Sequence, residues 1–154
     1  IIMPNHCTNE VTITFKDLEQ KEAFRKWVDN GKDNPLDFER ILPYPKGIET
    51  VTEILSGKKK KVVVGGEWNY EWCCENWGTK WNSYSWEDSN DPWEDEYDEE
   101  YVDLKFETAW GPPTGILEKI HEKFPDLPYI RWFYRDEADM FCGYLDVDVG
   151  ISNA

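Results

Sequence analysis

A chain of 154 residues with 9 Trp, 8 Tyr and 7 Phe has the apolar volume for one domain with a substantial core. Its formal net charge of −15 repels phosphate backbones, which argues against direct DNA binding. No apolar run approaches the roughly 20 residues that span a bilayer. The opening residues also lack the basic-then-apolar order of a secretory leader. Met3 is therefore read as the natural start and the protein as cytoplasmic in its host cell.

In chain order, residues 7–15 alternate. Cys7, Asn9, Val11, Ile13 and Phe15 share one face and Thr8, Glu10, Thr12 and Thr14 the other, which predicts a half-buried strand. Asp17, with Gln20 three residues on, predicts a helix start. Its stripe is Ala23, Phe24, Trp27 and Val28, and Gly31 is its end. The pattern then loosens. Residues 38–45 read as extended chain fixed by Pro43 and Pro45, and residues 48–55 as a short helix. Lys58, Lys59, Lys60 and Lys61 read as a solvated turn ahead of three valines, and Gly65 with Gly66 as a hinge or tight turn. Residues 68–77 predict a helix ended by Gly78, and residues 80–86 a strand.

A second alternating run, 101–110, places Val102, Leu104, Phe106, Thr108 and Trp110 on one face. Gly111, Pro112 and Pro113 launch a helix whose stripe is Ile116, Leu117, Ile120 and Phe124, closed by Pro125. Residues 129–135 and 141–149 read as strands around an acidic turn at 136–139. This order predicts an α+β, ferredoxin-like fold: a split βαβ antiparallel sheet with helices on one face and an extra C-terminal strand. One domain covers 3–150, with an insertion after the first helix over about 32–79 and an acidic loop over about 87–100.

The densest chemistry lies in residues 72–83, where Trp72, Trp77 and Trp81 alternate with Glu75, Asn76, Thr79 and Lys80 around Gly78. Rigid aromatic walls beside polar groups suit a flat, polar ligand. Asn76, Trp77, Lys80, Trp81, Trp110 and Gly111 are the predicted ligand-binding residues. In that reading the tryptophans stack a base, and amides near Gly111 at a helix N-terminus cradle an anion. Lys80 and Asn82 are expected to project together. His6, Asn9 and Glu75 are additional candidates, Asn9 because an amide on an apolar face needs hydrogen-bonding partners.

Nine carboxylates fall within residues 87–100, and without them the formal charge is −6. Glu94, Asp95, Glu96, Asp98 and Glu99 form the candidate surface for a basic partner; a solvated loop is the plainer reading. The four cysteines, Cys7, Cys73, Cys74 and Cys142, read as buried thiols. A zinc site built from His6, Cys7, a central cysteine and Cys142 is the weaker alternative. No Ser-His-Asp set, phosphate loop or metalloprotease motif occurs, and neither a catalytic residue, a metal nor a cofactor is expected.

Met3-Pro4-Asn5-His6-Cys7-Thr8-Asn9, Ile41-Leu42-Pro43, the run from Trp72 through Asn82, Thr108-Ala109-Trp110-Gly111-Pro112-Pro113 and Phe141-Cys142-Gly143 occur in this order. Together they resemble the YubB-like family of plasmid- and phage-borne ferredoxin-like proteins over nearly the whole chain. The acidic run after Trp86 is an expansion of that pattern. The resemblance implies the fold and a genetic setting, not a reaction. The expected function is non-catalytic binding that counteracts host defence, by holding a nucleotide-type signal or by occupying a basic site on a defence protein. The alternatives are a small nucleotide-directed enzyme using His6, Glu75 and Lys80, and a structural module whose tryptophans are all core.

Overall fold

The computed structural model describes residues 6–44, 48–55, 58–64, 70–86, 91–94, 97–137 and 141–145. Strand β1, His6–Thr14, follows the predicted alternation, with Cys7, Asn9, Val11 and Ile13 turned inward. Helix α1, Leu18–Val28, starts where the sequence signals it: the Asp17 carboxylate accepts the Gln20 N–H at 2.8 Å. The Gln20 side chain reaches back past the cap and accepts the Lys16 N–H instead. The buried stripe is Gln20, Lys21, Phe24 and Val28, while Ala23 is exposed. Lys21 is drawn in because its ammonium donates to the Glu99 carbonyl at 2.6 Å.

Residues 38–45 are not extended throughout. Phe38–Ile41 is a short helix, α2, capped by the Asp37 carboxylate on the Glu39 N–H, and Pro43 follows its last turn instead of straightening it. Residues 48–55 form a strand rather than a helix. Strand β2, Ile48–Leu55, pairs antiparallel with β3, Lys58–Val64, so the lysine run is strand and not turn. Thr50, Val51, Thr52 and Ile54 are β-branched, which suits the extended backbone. The two strands form a sheet of their own. Gly65 and Gly66 lie outside the described residues. Helix α3, Tyr70–Asn76, ends at Gly78 as expected. Trp72 on this helix meets Tyr44 edge-on at 5.3 Å, so the chain returns to the point from which the hairpin departs.

The strand expected over 80–86 is reduced to one bridge, in which Tyr84 and Glu107 exchange both backbone hydrogen bonds at 3.0 and 2.8 Å. Asn82 and Ser83 are engaged elsewhere, with Asp37, the Phe38 N–H, Asn34 and the Leu36 carbonyl. Ser85 then takes a left-handed conformation, φ +64°, and turns the chain off the sheet.

Strand β4 is Tyr101–Ala109, helix α4 Thr114–Lys123, strand β5 Tyr129–Asp136 and strand β6 Cys142–Tyr144. The sheet order is β4-β1-β5-β6, antiparallel throughout. Both β4 and β5 oppose β1, so they run in one direction, and α4 joins them around it: a split βαβ unit. With the Tyr84 bridge outside β4 and β6 added at the far edge, the fold is ferredoxin-like. Asp136 belongs to the end of β5, where it is buried, and not to an acidic turn. Val11, Ile13, Leu104, Phe106 and Trp132 line the inner face under Phe24, Val28, Ile116, Leu117 and Ile120 of α1 and α4. Glu10, Asp103 and Lys105 mark the opposite, exposed face.

The acidic segment is not wholly a solvated loop. Trp93 is buried against Phe15 and Phe24, with its indole N–H on the Pro35 carbonyl at 3.0 Å. Glu94, Asp98 and Glu99 are exposed around this anchor; Asp95 and Glu96 lie outside the described residues.

Candidate functional site

Two glycines lock the tryptophan motif onto the start of α4. Gly78 has φ +88°, and a Cβ there would stand 2.4 Å from the Thr114 hydroxyl. A Cβ on Gly115 would stand 1.9 Å from the Asn76 carbonyl oxygen, and the Gly115 N–H donates to the Trp77 carbonyl at 3.0 Å. The motifs around residues 77 and 111, distant in sequence, therefore form one corner.

A buried polar network fixes the other side of that corner. The Trp132 indole N–H donates to Asn9 Oδ1 at 2.9 Å, and the Asn9 amide donates to the Cys7 carbonyl and the Thr108 hydroxyl. Thr108 in turn donates to the Gly111 carbonyl at 2.6 Å, and Thr79 to the Ala109 carbonyl at 2.6 Å. Between these ties Trp110 is forced to φ +76°, a left-handed conformation that costs a bulky residue about 1–3 kcal/mol. The predicted in-facing position is thereby rotated outward, and Trp110 is 44% exposed.

The Lys80 ammonium stands 4.4 Å from the Trp110 ring centre and 5.2 Å from that of Trp81. Each such contact contributes about 0.5–1 kcal/mol at an exposed site. Trp81 meets Tyr84 edge-on at 6.1 Å, and the Tyr84 hydroxyl lies 2.5 Å from His6 Nδ1. The His6 N–H donates to Glu137 at 2.7 Å. The result is a surface row running Trp110, Lys80, Trp81, Tyr84, His6.

Burial, reinforced by Glu107 and Glu137, pushes the Tyr84 hydroxyl from its ordinary 10 up to about 12. The folded chain thus holds this proton more tightly than the unfolded chain. That contribution is intact below pH 10 and is lost as the pH rises toward 12. Tyr84→Phe is expected to flatten the alkaline loss of stability across this window. Urea unfolding at stepped pH checks it, and an unchanged slope would show that the phenol titrates normally.

Of the residues predicted from sequence, Lys80, Trp81 and Trp110 come together, with Gly111 next in the chain and His6 at the far end. Trp77 does not join them. It is fully buried against Phe38 and Trp72, and its indole N–H binds the Leu42 carbonyl at 2.8 Å, so it is a core residue. The Asn76 amide turns back onto its own helix, donating to the Trp72 carbonyl. Asn9 is fully buried and bonded inward, and so faces no ligand. Asn82 points to the 34–38 segment and not alongside Lys80. Glu75 is exposed on α3.

The N–H groups of Thr114, Gly115, Ile116 and Leu117 already donate to backbone carbonyls, so the first turn of α4 adds none of these four to an anion cradle near Gly111. Sequence reasoning missed Tyr84, whose only signal is its place three residues after Trp81.

The thiols divide. Cys7 and Cys73 are buried, and desolvation raises them to about 11 and about 12; Cys74 and Cys142, expected to be buried, are exposed. Among the described residues no group of three His, Cys, Asp or Glu side chains is placed to hold a metal, which removes the zinc reading. Nor is any described helix long and apolar enough to cross a membrane.

The split βαβ unit and its four-stranded antiparallel sheet define a ferredoxin-like α+β protein. Residues 76–152, half of the chain, match the family described as the ferredoxin-like domain in Api92-like protein, and the chain belongs to that family. The match takes in β4, α4, β5 and β6; the central strand β1 is supplied from outside it. No curated protein and no solved structure matches the chain.

Proposed function

We propose that this chain is a non-catalytic binding protein for a flat, anionic small molecule of nucleotide type, held at the Trp110–Lys80–Trp81 row. The observation that carries the reading is Trp110 itself. A large aromatic side chain is exposed and kept in a strained conformation by ties on both sides, with a lysine ammonium on its face. Strain maintained by its surroundings at an exposed aromatic is a mark of a ligand site rather than of packing. A base stacking on Trp110 would displace the ammonium from the ring and leave it to pair with a phosphate.

The resemblance to plasmid- and phage-borne YubB-like proteins supplies the setting: sequestration of a signal used by host defence. Sequestration needs affinity alone, which the ring faces of Trp110 and Trp81 and the Lys80 ammonium would supply. Trp77, buried on the Leu42 carbonyl, and Asn76, turned onto its own helix, take no part in the row.

Native mass spectrometry of the protein purified from a host-like cell, before and after denaturation, tests the reading. A released nucleotide-class molecule is expected. Trp110→Ala should weaken its rebinding by roughly 5- to 150-fold, corresponding to about 1–3 kcal/mol of lost stacking. Replacing the carboxylates of residues 87–100 by Gln and Asn should leave rebinding unchanged. A chain that emerges bare, or bound only to a basic protein, would overturn it.

A further inference from the structure

Among the described residues the sheet edge beside β4 is only partly occupied. Because Tyr84 and Glu107 exchange backbone bonds, the N–H and C=O of Glu107 point out of the sheet. By the two-residue repeat of an antiparallel ladder, those of Lys105 and Asp103 point the same way, while Phe106 and Leu104 face β1. Among the described residues no hydrogen bond reaches these outward groups of Asp103 or Lys105. The chain that would have covered them leaves at Ser85, in its left-handed turn. Trp86 then stacks on Phe106, ring centres 4.9 Å apart and 26° from parallel, and walls the gap. A cleft of about 510 Å³ remains, lined by Ser85, Trp86, Pro92, Asp103, Lys105 and Glu107 among others.

We infer that this gap is a docking site for an extended, lysine- or arginine-bearing segment of a partner protein, which joins the sheet as an added strand beside β4. Backbone groups along an open edge supply affinity for any extended chain, and the side chains flanking the edge supply selection. Here the selection is for positive charge. Asp103 and Glu107 flank Lys105 along the edge and Glu10 is its partner on β1, while Arg131 and Arg135 of the same face lie on β5, on the far side of β1 from the edge. The Thr12 hydroxyl holds the Asp103 carboxylate in place at 2.7 Å. Opposite charges directly across a ladder are favoured and like charges disfavoured. A second copy of this chain would bring the same carboxylates and a formal charge of −15 against its own, which points away from self-pairing. This site is separate from the Trp110 row and stands whether or not that row binds a nucleotide.

The test uses the full chain with two synthetic decapeptides, one alternating Lys with Val and one alternating Glu with Val. Amide hydrogen exchange is read by heteronuclear NMR. The Lys–Val peptide should slow exchange at Asp103 and Lys105 at least tenfold, and the Glu–Val peptide should not. Lys105→Pro removes an outward N–H that bonds nothing among the described residues. It is therefore expected to fold and to abolish the effect. Asp103→Lys should weaken Lys–Val binding several-fold and decides the matter if the proline variant does not fold.

Undiminished binding by either folded variant would overturn the inference. So would protection at Glu94, Asp98 and Glu99 in place of the edge, or self-association of the unmixed chain that Lys105→Pro removes.

Discussion

Replacing Gly115 by alanine is expected to destabilise the fold by about 3 kcal/mol or more, the reverse of the usual effect of Gly→Ala in a helix. In an ordinary helical position the change gains about 1 kcal/mol from backbone entropy. Here the new Cβ falls 1.9 Å from the Asn76 carbonyl oxygen. The obstacle is backbone and cannot rotate aside. The end of α3 is held by the Trp77 and Gly78 N–H groups, both on the Cys73 carbonyl at 2.7 and 3.1 Å. Relief requires α4 to retreat, which gives up the Gly115 bond to the Trp77 carbonyl, about 1 kcal/mol, and loosens Ile116 and Leu117 beneath it. Gly111→Ala is the internal control: its Cβ meets nothing within 4 Å, and a change within about 0.5 kcal/mol is expected. Urea unfolding followed by circular dichroism separates the two. Equal midpoints would show that the 76–115 contact is not a fixed one.

Asn9→Leu should destabilise the fold for the opposite reason, since it removes polar contacts while keeping the volume. The indole N–H of Trp132 loses its acceptor, and the Cys7 carbonyl and Thr108 hydroxyl lose a donor. The orphaned indole N–H costs about 1–3 kcal/mol and each of the other two lost bonds about 1 kcal/mol, since Thr108 still donates to the Gly111 carbonyl and the Cys7 carbonyl stays in the ladder with β4. The added apolar side chain returns about 1.5–3 kcal/mol at most, leaving a net loss of about 2 kcal/mol. The accompanying Trp132→Phe change removes the stranded N–H, so Asn9→Leu with Trp132→Phe should fall short of the sum of the single losses. Strict additivity would show that the indole is satisfied some other way. Because Thr108 also ties Gly111, the single variant is expected to free Trp110 from its left-handed turn as well.

The elements that read correctly from sequence are those whose partner is regular. In β1 and β4, inward residues recur every second position because one face of the sheet is covered and the other is not. In α4, Ile116, Leu117 and Ile120 follow the helical repeat for the same reason. The failures lie where side chains bond across the chain. Residues 80–86 carry an alternating pattern, but Asn82 and Ser83 serve the 34–38 segment and Ser85 breaks the strand. The short helix α2 was masked by the prolines that follow it, although Asp37 is an ordinary cap.

In the site, aromatic and charged residues were legible as a group, but their division between core and surface was not. Trp77 and Trp110 look alike in sequence. One is inserted under Leu42 and the other turned out by hydrogen bonds from Thr108 and Thr79, partners that no local pattern announces.

The meeting of Tyr44 and Trp72 bears on how this chain can change length. The ends of the 45–71 stretch are joined through the body of the protein, by two aromatic rings 5.3 Å apart. Where the ends of a loop are already closed, each doubling of its length adds only about 0.6 kcal/mol of chain entropy. The stretch is therefore a place where residues can be gained, lost or exchanged while the sheet and the row beside Trp110 keep their geometry.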